Sequence, residues 1–193
     1  MATAEILDAE LNPTKAEVAS AYSPLTAVDG SYRAVDADNV VGIEVLVGKD
    51  AEGNQAQVGL TYRPADQALD TELTRLAHST LGERSVAYLT DDPVGVREII
   101  RLILSGDSGA DFSNGAPLFS VRGNGLTPEA TVADVEIEES NGWTSFGSVV
   151  VDGQPHRYEL RIQRVIHGPT ADNDALALVR EDDATLIRLE VWR

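Results

Sequence analysis

Cysteine and cationic residues are scarce in this sequence, and each shortage excludes a class of protein. The chain has no cysteine, so it can form neither a disulfide nor a thiolate metal site, as is usual in the reducing cytoplasm. Only 15 of its 193 residues are Lys or Arg against 32 Asp or Glu, which gives a formal net charge of −17. Because Lys and Arg provide most of the affinity for nucleic acids and anionic membranes, we expect neither as a partner.

Long apolar segments are also absent. The most apolar stretch, residues 99–104, is short and contains Arg101, whereas a transmembrane helix needs about 20 apolar residues. Residues 1–11 carry acids and lack the basic and apolar regions of a signal peptide. The contents of hydrophobic residues, 42%, and of charged residues, 24%, are typical of folded chains. The sequence therefore predicts a folded cytoplasmic protein whose acids lie on its surface.

Residues 12–91 predict one helix and a group of strands. Asn12 as N-cap and Pro13 as the first helical residue predict a helix over about residues 13–22. Residues 66–81 are ambiguous between a short helix and a turn. Strands are predicted over residues 31–35, 41–48, 57–63 and 84–89. In residues 41–48 and 57–63 large apolar residues alternate with mostly small or polar ones, which indicates one buried and one exposed face.

The clearest helix follows Asp92. The pair Asp92-Pro93 combines an N-cap with a proline at the first helical position, and Gly106 is a suitable C-terminal stop. The predicted buried stripe consists of Val96, Ile99, Ile100 and Ile103. The residues predicted to face outward are Arg97, Glu98 and Arg101.

Residues 106–128 are rich in Gly, Ser, Asn, Asp and Pro, and predict an internal boundary. Beyond it only strands are predicted, over residues 133–138, 146–151, 157–166, 175–180 and 185–192. Asp152-Gly153 predicts a hairpin turn in a loop that Gln154 and Pro155 lengthen. We therefore expect an α+β fold with helices packed on antiparallel sheet. Its first part covers residues 1–126 and its strand-rich second part residues 127–193, and the two form either separate domains or one continuous domain.

Five short motifs occur in order in the first part: NPTKAE at 12–17, VGIE at 41–44, LTYR at 60–63, HSTLGER at 78–84 and DP at 92–93. Together they resemble the N-terminal cap domain of actinobacterial maltokinases, over about residues 5–106. The likeness is closest to small stand-alone proteins that carry such a domain without a kinase. It implies a cystatin-like topology, in which a helix packs on an antiparallel sheet. Tyr62, Arg63 and His78 lie in these motifs and are candidate contacts to a partner or ligand.

The second part is similar to the opening strands of the maltokinase N-lobe, on the segments ESNGWTS at 139–145, LRIQR at 160–164 and HGP at 167–169. In that family the first segment covers a phosphate, and a lysine of the third strand contacts ATP. Arg161 stands in the place of that lysine, and a planar guanidinium is a poor replacement for a point charge. The kinase C-lobe, with its magnesium-binding aspartates, is missing. The resemblance therefore implies no machinery for phosphoryl transfer.

Few residues are candidates for chemistry. His78 could act as a base near neutral pH, but no Gly-x-Ser-x-Gly motif is present and a structural role before the Leu81-Gly82 turn is favoured. His78, His156 and His167 have no metal-ligand spacing, so we expect neither metal nor cofactor. Residues 167–174 depart from a His-Gly-Asp catalytic loop because Pro169 replaces the aspartate, and a turn is predicted there.

Arg157 and Arg161 lie on one face of a predicted strand, whose opposite face, Tyr158, Leu160 and Ile162, is predicted to be core. The two arginines could receive an anion or an acidic partner segment. Cross-strand pairing with Glu136 or Glu138 is the alternative that we favour.

These observations favour a non-enzymatic function. A cap without a kinase implies an accessory or regulatory module that binds a protein partner, for example a sugar kinase or another enzyme of α-glucan or trehalose metabolism. The alternative is a protein that binds a sugar or nucleotide, without catalysis, between the cap-like part and the N-lobe-like strands. An enzyme that uses His78 is disfavoured, because no set of nucleophile, base and orienting group can be assembled from the sequence.

Overall fold

The computed structural model describes residues 2–169 and 175–193. Strands account for 48% of the chain and helices for 14%, so the fold is mostly antiparallel sheet and fits the predicted α+β class with packed helices only in part. In the described part, the first half contains β1 (Thr3–Ala4), β2 (Leu11–Asn12), α1 (Lys15–Tyr22), β3 (Ala27–Val35), β4 (Gly42–Lys49), β5 (Gln55–Pro64), β6 (Thr74–His78), β7 (Gly82–Tyr88) and α2 (Pro93–Ser105). It is followed by β8 (Asp111–Phe112), β9 (Val121–Gly123), β10 (Val132–Ser140), β11 (Thr144–Val151), β12 (Gln154–Ile162), β13 (Leu176–Arg180) and β14 (Thr185–Trp192).

The strands form two six-stranded sheets and one short parallel pair. The first sheet has the order β2-β6-β7-β5-β4-β3, and the second has the order β10-β11-β12-β14-β13-β9. Both sheets are antiparallel throughout, whereas β1 and β8 pair in parallel. β9 precedes the predicted boundary at residue 126, yet it pairs with β13 in the second sheet.

A single core joins the two sheets. The buried stripe of α2, confirmed as Val96, Ile99, Ile100 and Ile103, packs in one cluster with residues of β4 and of β12–β14. Gln57 of β5 crosses the interface, where its side-chain amide donates to the carbonyls of Gln163 (2.9 Å) and Leu186 (2.8 Å). The first sheet and the second sheet therefore share one core with α2, and backbone hydrogen bonds from Gln57 N to Arg164 O (3.1 Å) and from Ile166 N to Gln55 O (2.8 Å) also join them.

The opposite face of the first sheet is also buried. Val18 and Ala19 of α1 pack there against side chains of β4 and β5. The exposed face predicted for these two strands is therefore wrong, since residues 43–48 and 56–62 are buried on both sides. The small and polar positions reflect close packing and internal hydrogen bonds: a Cβ on Gly59 would lie 2.8 Å from Ile162 Cδ1.

The two helices begin with different caps. α2 starts and ends as predicted, because the Asp92 carboxylate accepts from Val94 N (2.9 Å) and Gly106 is left-handed at φ 72°. α1 does not begin at Asn12, which belongs to β2. Its N-cap is Thr14, which forms a reciprocal capping box with Glu17.

Three further expectations are corrected. Glu98 of α2 is buried rather than outward-facing, because Arg97 and Arg101 each lie 2.9 Å from its carboxylate. The ambiguous residues 66–81 contain β6, preceded by a short 3₁₀ turn at Ala65–Gln67. Gln154 and Pro155 belong to β12, since Asp152 and Gly153, at φ 50° and 74°, form a two-residue turn. Most of the turn predicted over 167–174 lies outside the described residues.

Candidate functional site

Arg63 is a structural residue rather than an open contact. Its guanidinium binds both oxygens of the buried Asp92 carboxylate, from Nε at 2.7 Å and Nη2 at 2.6 Å. This pairing links the end of β5 to the N-cap of α2. The hydrogen bonds to Asp92 raise the pKa of Arg63, although burial acts in the opposite direction. The side chain is 14% exposed.

Arg157 and Arg161 lie on the outer face of the second sheet, away from the shared core. Arg157 donates to both oxygens of Glu138 at 2.5 and 2.6 Å and lies 4.7 Å from the centre of the Phe146 ring. The cross-strand pairing predicted for Arg157 is thus confirmed, and the hydrogen bond lowers the pKa of Glu138. Arg161 pairs with Glu159 of its own strand. As predicted, the opposite face, Tyr158, Leu160 and Ile162, is buried.

Tyr62 and His78, the remaining two candidates, line one cleft. The cleft has a volume of about 260 Å³ and lies at the start of α1, on the sheet face that α1 covers. It is distant from the predicted ligand position between the sheets, which the shared core fills. The charged residues that line it are Glu5, Lys15, Arg33, Asp36 and Arg84.

An N-terminal strap, residues 2–12, forms one wall of the cleft. Its beginning is held where β1 pairs with β8 and where Ile6 N donates to Ser113 Oγ (2.8 Å). Its end is held where β2 pairs with β6 and where Glu10 N donates to Ser79 Oγ (3.0 Å). The middle of the strap contributes Glu5, Ile6, Leu7 and Ala9 to the lining. Because both ends are hydrogen-bonded, the strap spans the cleft.

A buried carboxylate lies beside the cleft. Glu44 of β4 is 2% exposed, and Lys15 Nζ and Arg33 Nη2 lie 2.8 and 3.1 Å from its oxygens. Ser31 Oγ donates to it at 2.7 Å. Burial raises the pKa of Glu44, but Arg33, Lys15 and Ser31 together outweigh it and hold the pKa below its usual value. The carboxylate is therefore ionised and positions both cations at the cleft.

The Tyr62 hydroxyl is buried and, among the described residues, has no hydrogen-bond partner of good geometry. Burial, and then the neighbouring Glu44 carboxylate, raise the pKa of the phenol well above its usual value. The phenol is therefore neutral and retains a proton to donate. The Glu44 carboxylate is close enough to accept from this hydroxyl, and that contact contributes to the rise in its pKa.

His78 acts as an acceptor for a turn. Its Nδ1 accepts from the backbone N–H groups of Thr80 (3.2 Å) and Leu81 (3.1 Å). Burial lowers its pKa, and Arg84 and Lys15 lower it further. The ring is therefore neutral at pH 7 with its proton on Nε2. This agrees with the structural role favoured from the sequence and leaves Nε2–H as a donor rather than a base.

Arg84 completes the cleft from β7. Its Nη2 donates to the backbone carbonyls of Val40 (3.1 Å) and Tyr62 (3.0 Å). Within residues 2–169 and 175–193, Arg84 forms no ion pair with a carboxylate. Burial lowers its pKa, and the charge of Asp66 opposes this effect without outweighing it. Arg84 thus presents to the cleft a cation that no described carboxylate contacts directly.

The sequence did not identify most of this site. Lys15, Arg33 and Arg84 come from α1, β3 and β7, and only the sheet order brings them together. One signal was present: Glu44 is the only charged residue within β4 before its terminal Lys49, and the other residues of the strand are Gly, Val, Ile and Leu. Such a residue is buried only when it is paired.

No described helix is long and apolar enough to cross a membrane. Among residues 2–169 and 175–193, no group of three or more His, Asp or Glu side chains could hold a metal ion. No protein-family model matches the chain, and a search of curated proteins finds no match either.

Proposed function

We propose that this protein is a non-catalytic module that binds a small molecule in the cleft beneath the N-terminal strap. The observation that carries the proposal is the joint enclosure of Tyr62, His78 and Arg84 by the sheet and the strap. Concave sites that combine apolar walls with a few convergent polar groups are the usual binding sites for small ligands. The volume of about 260 Å³ suits a ligand smaller than a drug-sized molecule.

The arrangement supports binding rather than catalysis. His78 uses Nδ1 to hold its own turn, so its ring provides a donor and no base. Lys15 is committed to the buried Glu44 carboxylate. Among the described cleft residues, no nucleophile has an adjacent base that a third group orients.

The test is a ligand screen by thermal unfolding of the full chain. The set contains ATP, maltose, trehalose and small acids, amides and alcohols. A ligand present at 100 times its Kd stabilises the folded state by about 2.7 kcal/mol, which corresponds to a Tm increase of roughly 5–10 °C for a chain of this size.

A substitution that fills the cleft provides the control. Gly42 lines the cleft, and a Cβ there would make ordinary contact with Tyr62 at 3.5 Å. Gly42→Leu is expected to abolish the Tm increase. Gly168→Leu adds the same side chain in a loop with nothing within 4 Å and is expected to retain it. A screen without any hit, or equal binding by Gly42→Leu, would contradict the proposal.

A second candidate is the accessory module that binds a sugar-metabolism enzyme. It is favoured by the outer face of the second sheet, where the rings of Phe146 and Trp192 lie 6.0 Å apart beside Arg157 and Arg161. It also rests on the resemblance to maltokinase caps, whose cystatin-like topology is compatible with α1 packing on the first sheet.

Light scattering of the full chain mixed with a maltokinase tests this candidate. Arg161→Glu is expected to weaken a complex that forms through this face, whereas Arg75→Glu, on the first sheet, is expected to leave it intact. If the mixture shows no complex, this candidate fails and the small-molecule proposal is unaffected.

A further inference from the structure

One cation that lines the cleft, Arg84, forms no ion pair within residues 2–169 and 175–193. Lys15 and Arg33 share one buried carboxylate, Glu44, and Arg84 adds a third cation without an ion pair in the described chain. The other buried acid of the cleft, Asp36, is already paired with Arg97 at 3.1 Å and accepts from backbone amides at positions 38, 40 and 41. Glu5 also lines the cleft, but it is exposed, so solvent screens its charge.

The cations of the cleft destabilise each other's charged forms. Burial, and then Arg33, lower the pKa of Lys15 although Glu44 opposes them. Burial also lowers the pKa of Arg84, and Arg84 in turn lowers that of His78. A bound anion would reverse each of these effects, so it would be held by charge as well as by hydrogen bonds.

The cationic groups surround Tyr62. Lys15 Nζ lies 5.8 Å from the centre of its ring, and Arg84 Nη2 lies 3.0 Å from its carbonyl oxygen. Arg84 Nη2 is committed to backbone carbonyls, but Nε and Nη1 make no hydrogen bond within the described residues. The Nε–H and Nη1–H donors lie on different edges of the guanidinium, so each edge offers a carboxylate oxygen one charge-assisted hydrogen bond rather than a two-donor fork.

Most of the remaining lining is aliphatic, and Thr3 and Asn39 are its polar exceptions. The aliphatic side chains include Ala4, Ile6, Leu7, Leu11, Val40 and Leu81. These residues come from the strap, from the turn before β4 and from the turn before β7. They offer contact area to an apolar ligand body but no hydrogen-bonding side chain for sugar hydroxyls.

We infer that the cleft binds a small monocarboxylate with an aliphatic body, with its carboxylate at Arg84 and its chain against the strap. This inference rests on the proposed function and specifies the class of ligand. A monoanion matches the single cation, Arg84, that has no ion pair in the described chain. The cleft is too small for a nucleotide.

Isothermal titration of the full chain with hexanoate tests the inference, together with butanoate, octanoate, hexanamide and inorganic phosphate. Each methylene buried from butanoate to hexanoate is expected to tighten binding about fourfold. Hexanamide has the same body without the charge, and is expected to bind about tenfold or more weakly than hexanoate.

Two glutamine variants locate the carboxylate. Arg84→Gln is expected to weaken hexanoate binding about tenfold while leaving hexanamide unchanged. Arg75→Gln removes the same charge from the partner strand β6, where the residue pairs with Glu72 and Glu83, and is expected to change neither. Thermal unfolding confirms that both variants fold. If Arg84→Gln does not fold, the comparison of hexanoate with hexanamide in the unsubstituted protein still tests whether the ligand's carboxylate is recognised.

The outcomes separate the two levels of the proposal. Equal binding of hexanamide and hexanoate, or an unchanged Arg84→Gln variant, overturns the carboxylate assignment and leaves the cleft as a binding site. If phosphate binds and the affinity for the carboxylates does not depend on the length of their alkyl chain, the assignment of an aliphatic ligand body is overturned. Binding of none of these probes, together with a failed general screen, overturns the proposed function itself.

Discussion

The ion pair between Arg63 and Asp92 provides the sharpest test of how the first sheet is attached to α2. Asp92 is fully buried and carries out two tasks: its carboxylate caps α2 and binds the Arg63 guanidinium through two short hydrogen bonds. Asp92→Asn retains the cap, since Asn and Asp are equally good N-caps, but removes the charge. Asp92→Ala removes both.

The expected losses follow from the burial of the pair. Removing one partner of a buried ion pair lowers the free energy of unfolding by about 3–5 kcal/mol. Because the Arg63 side chain is 14% exposed, the loss in Asp92→Asn is expected near the lower end of this range. Losing the cap costs about a further 1 kcal/mol in Asp92→Ala. Arg63→Gln is expected to cost about 2–3 kcal/mol, because the helix N-terminus still stabilises the remaining carboxylate.

Urea unfolding followed by the fluorescence of Trp143 and Trp192 measures these changes, with a constant slope m showing that the unfolded state is unaffected. The double variant Asp92→Asn/Arg63→Gln is expected to lose at least about 1.5 kcal/mol less than the sum of the single losses. A coupling energy near zero would refute the reasoning. Arg75→Gln is the control, since an exposed pair contributes less than about 1 kcal/mol.

Three further predictions concern the core and the cleft. Gln57→Ala removes the acceptor of the Tyr32 hydroxyl and the side-chain donor to the Gln163 carbonyl, whereas the Leu186 carbonyl still accepts from Gln163 N. This variant is expected to lower the free energy of unfolding in urea by about 2–3 kcal/mol. Glu44 has a lowered pKa in the folded state, so its contribution to stability is present above its unfolded pKa of about 4.3 and is lost as the pH falls further. Acid titration of the unfolding free energy is expected to show a smaller loss in Glu44→Gln than in the unsubstituted protein, because other carboxylates with lowered pKa values, such as Asp36 and Asp50, remain in both. Gly48→Ala would place a Cβ 1.8 Å from Ala27 O and is expected to lower Tm strongly, whereas Gly168→Ala is expected to be neutral; equal Tm values would contradict the packing at the β3 bulge.

The sequence predicted an element well where residues adjacent in the chain form its cap or its turn. Asp92-Pro93 and Gly106 fixed α2, and Asp152-Gly153 fixed the turn between β11 and β12. Asn12-Pro13 was misleading because Thr14 and Glu17 form a better cap two residues later. Alternation also identified β4 and β5 as strands.

Alternation could not show what covers each face. It reports polarity, and the polar residues Glu44 and Gln57 lie inside the protein because partners from distant segments satisfy them. Similarly, Tyr62 and Arg63 are neighbours in sequence, but strand geometry directs them to opposite faces, one to the cleft and one to Asp92. The strap was not identified as part of a site, because residues 2–12 have no periodicity and gain their place through β1 and β2.

The burial of the first sheet on both faces restricts how its sequence can change. In an ordinary two-layer protein, every second residue of a central strand faces water and accepts many replacements. In β4 and β5 nearly every position contacts one packed layer or the other. Neither the odd-numbered nor the even-numbered positions can therefore accept replacements freely. Sequence divergence is therefore expected to concentrate in the outer strand β10, whose residues are mostly exposed or half-exposed, and in the connecting loops, while the two central strands change slowly at consecutive positions.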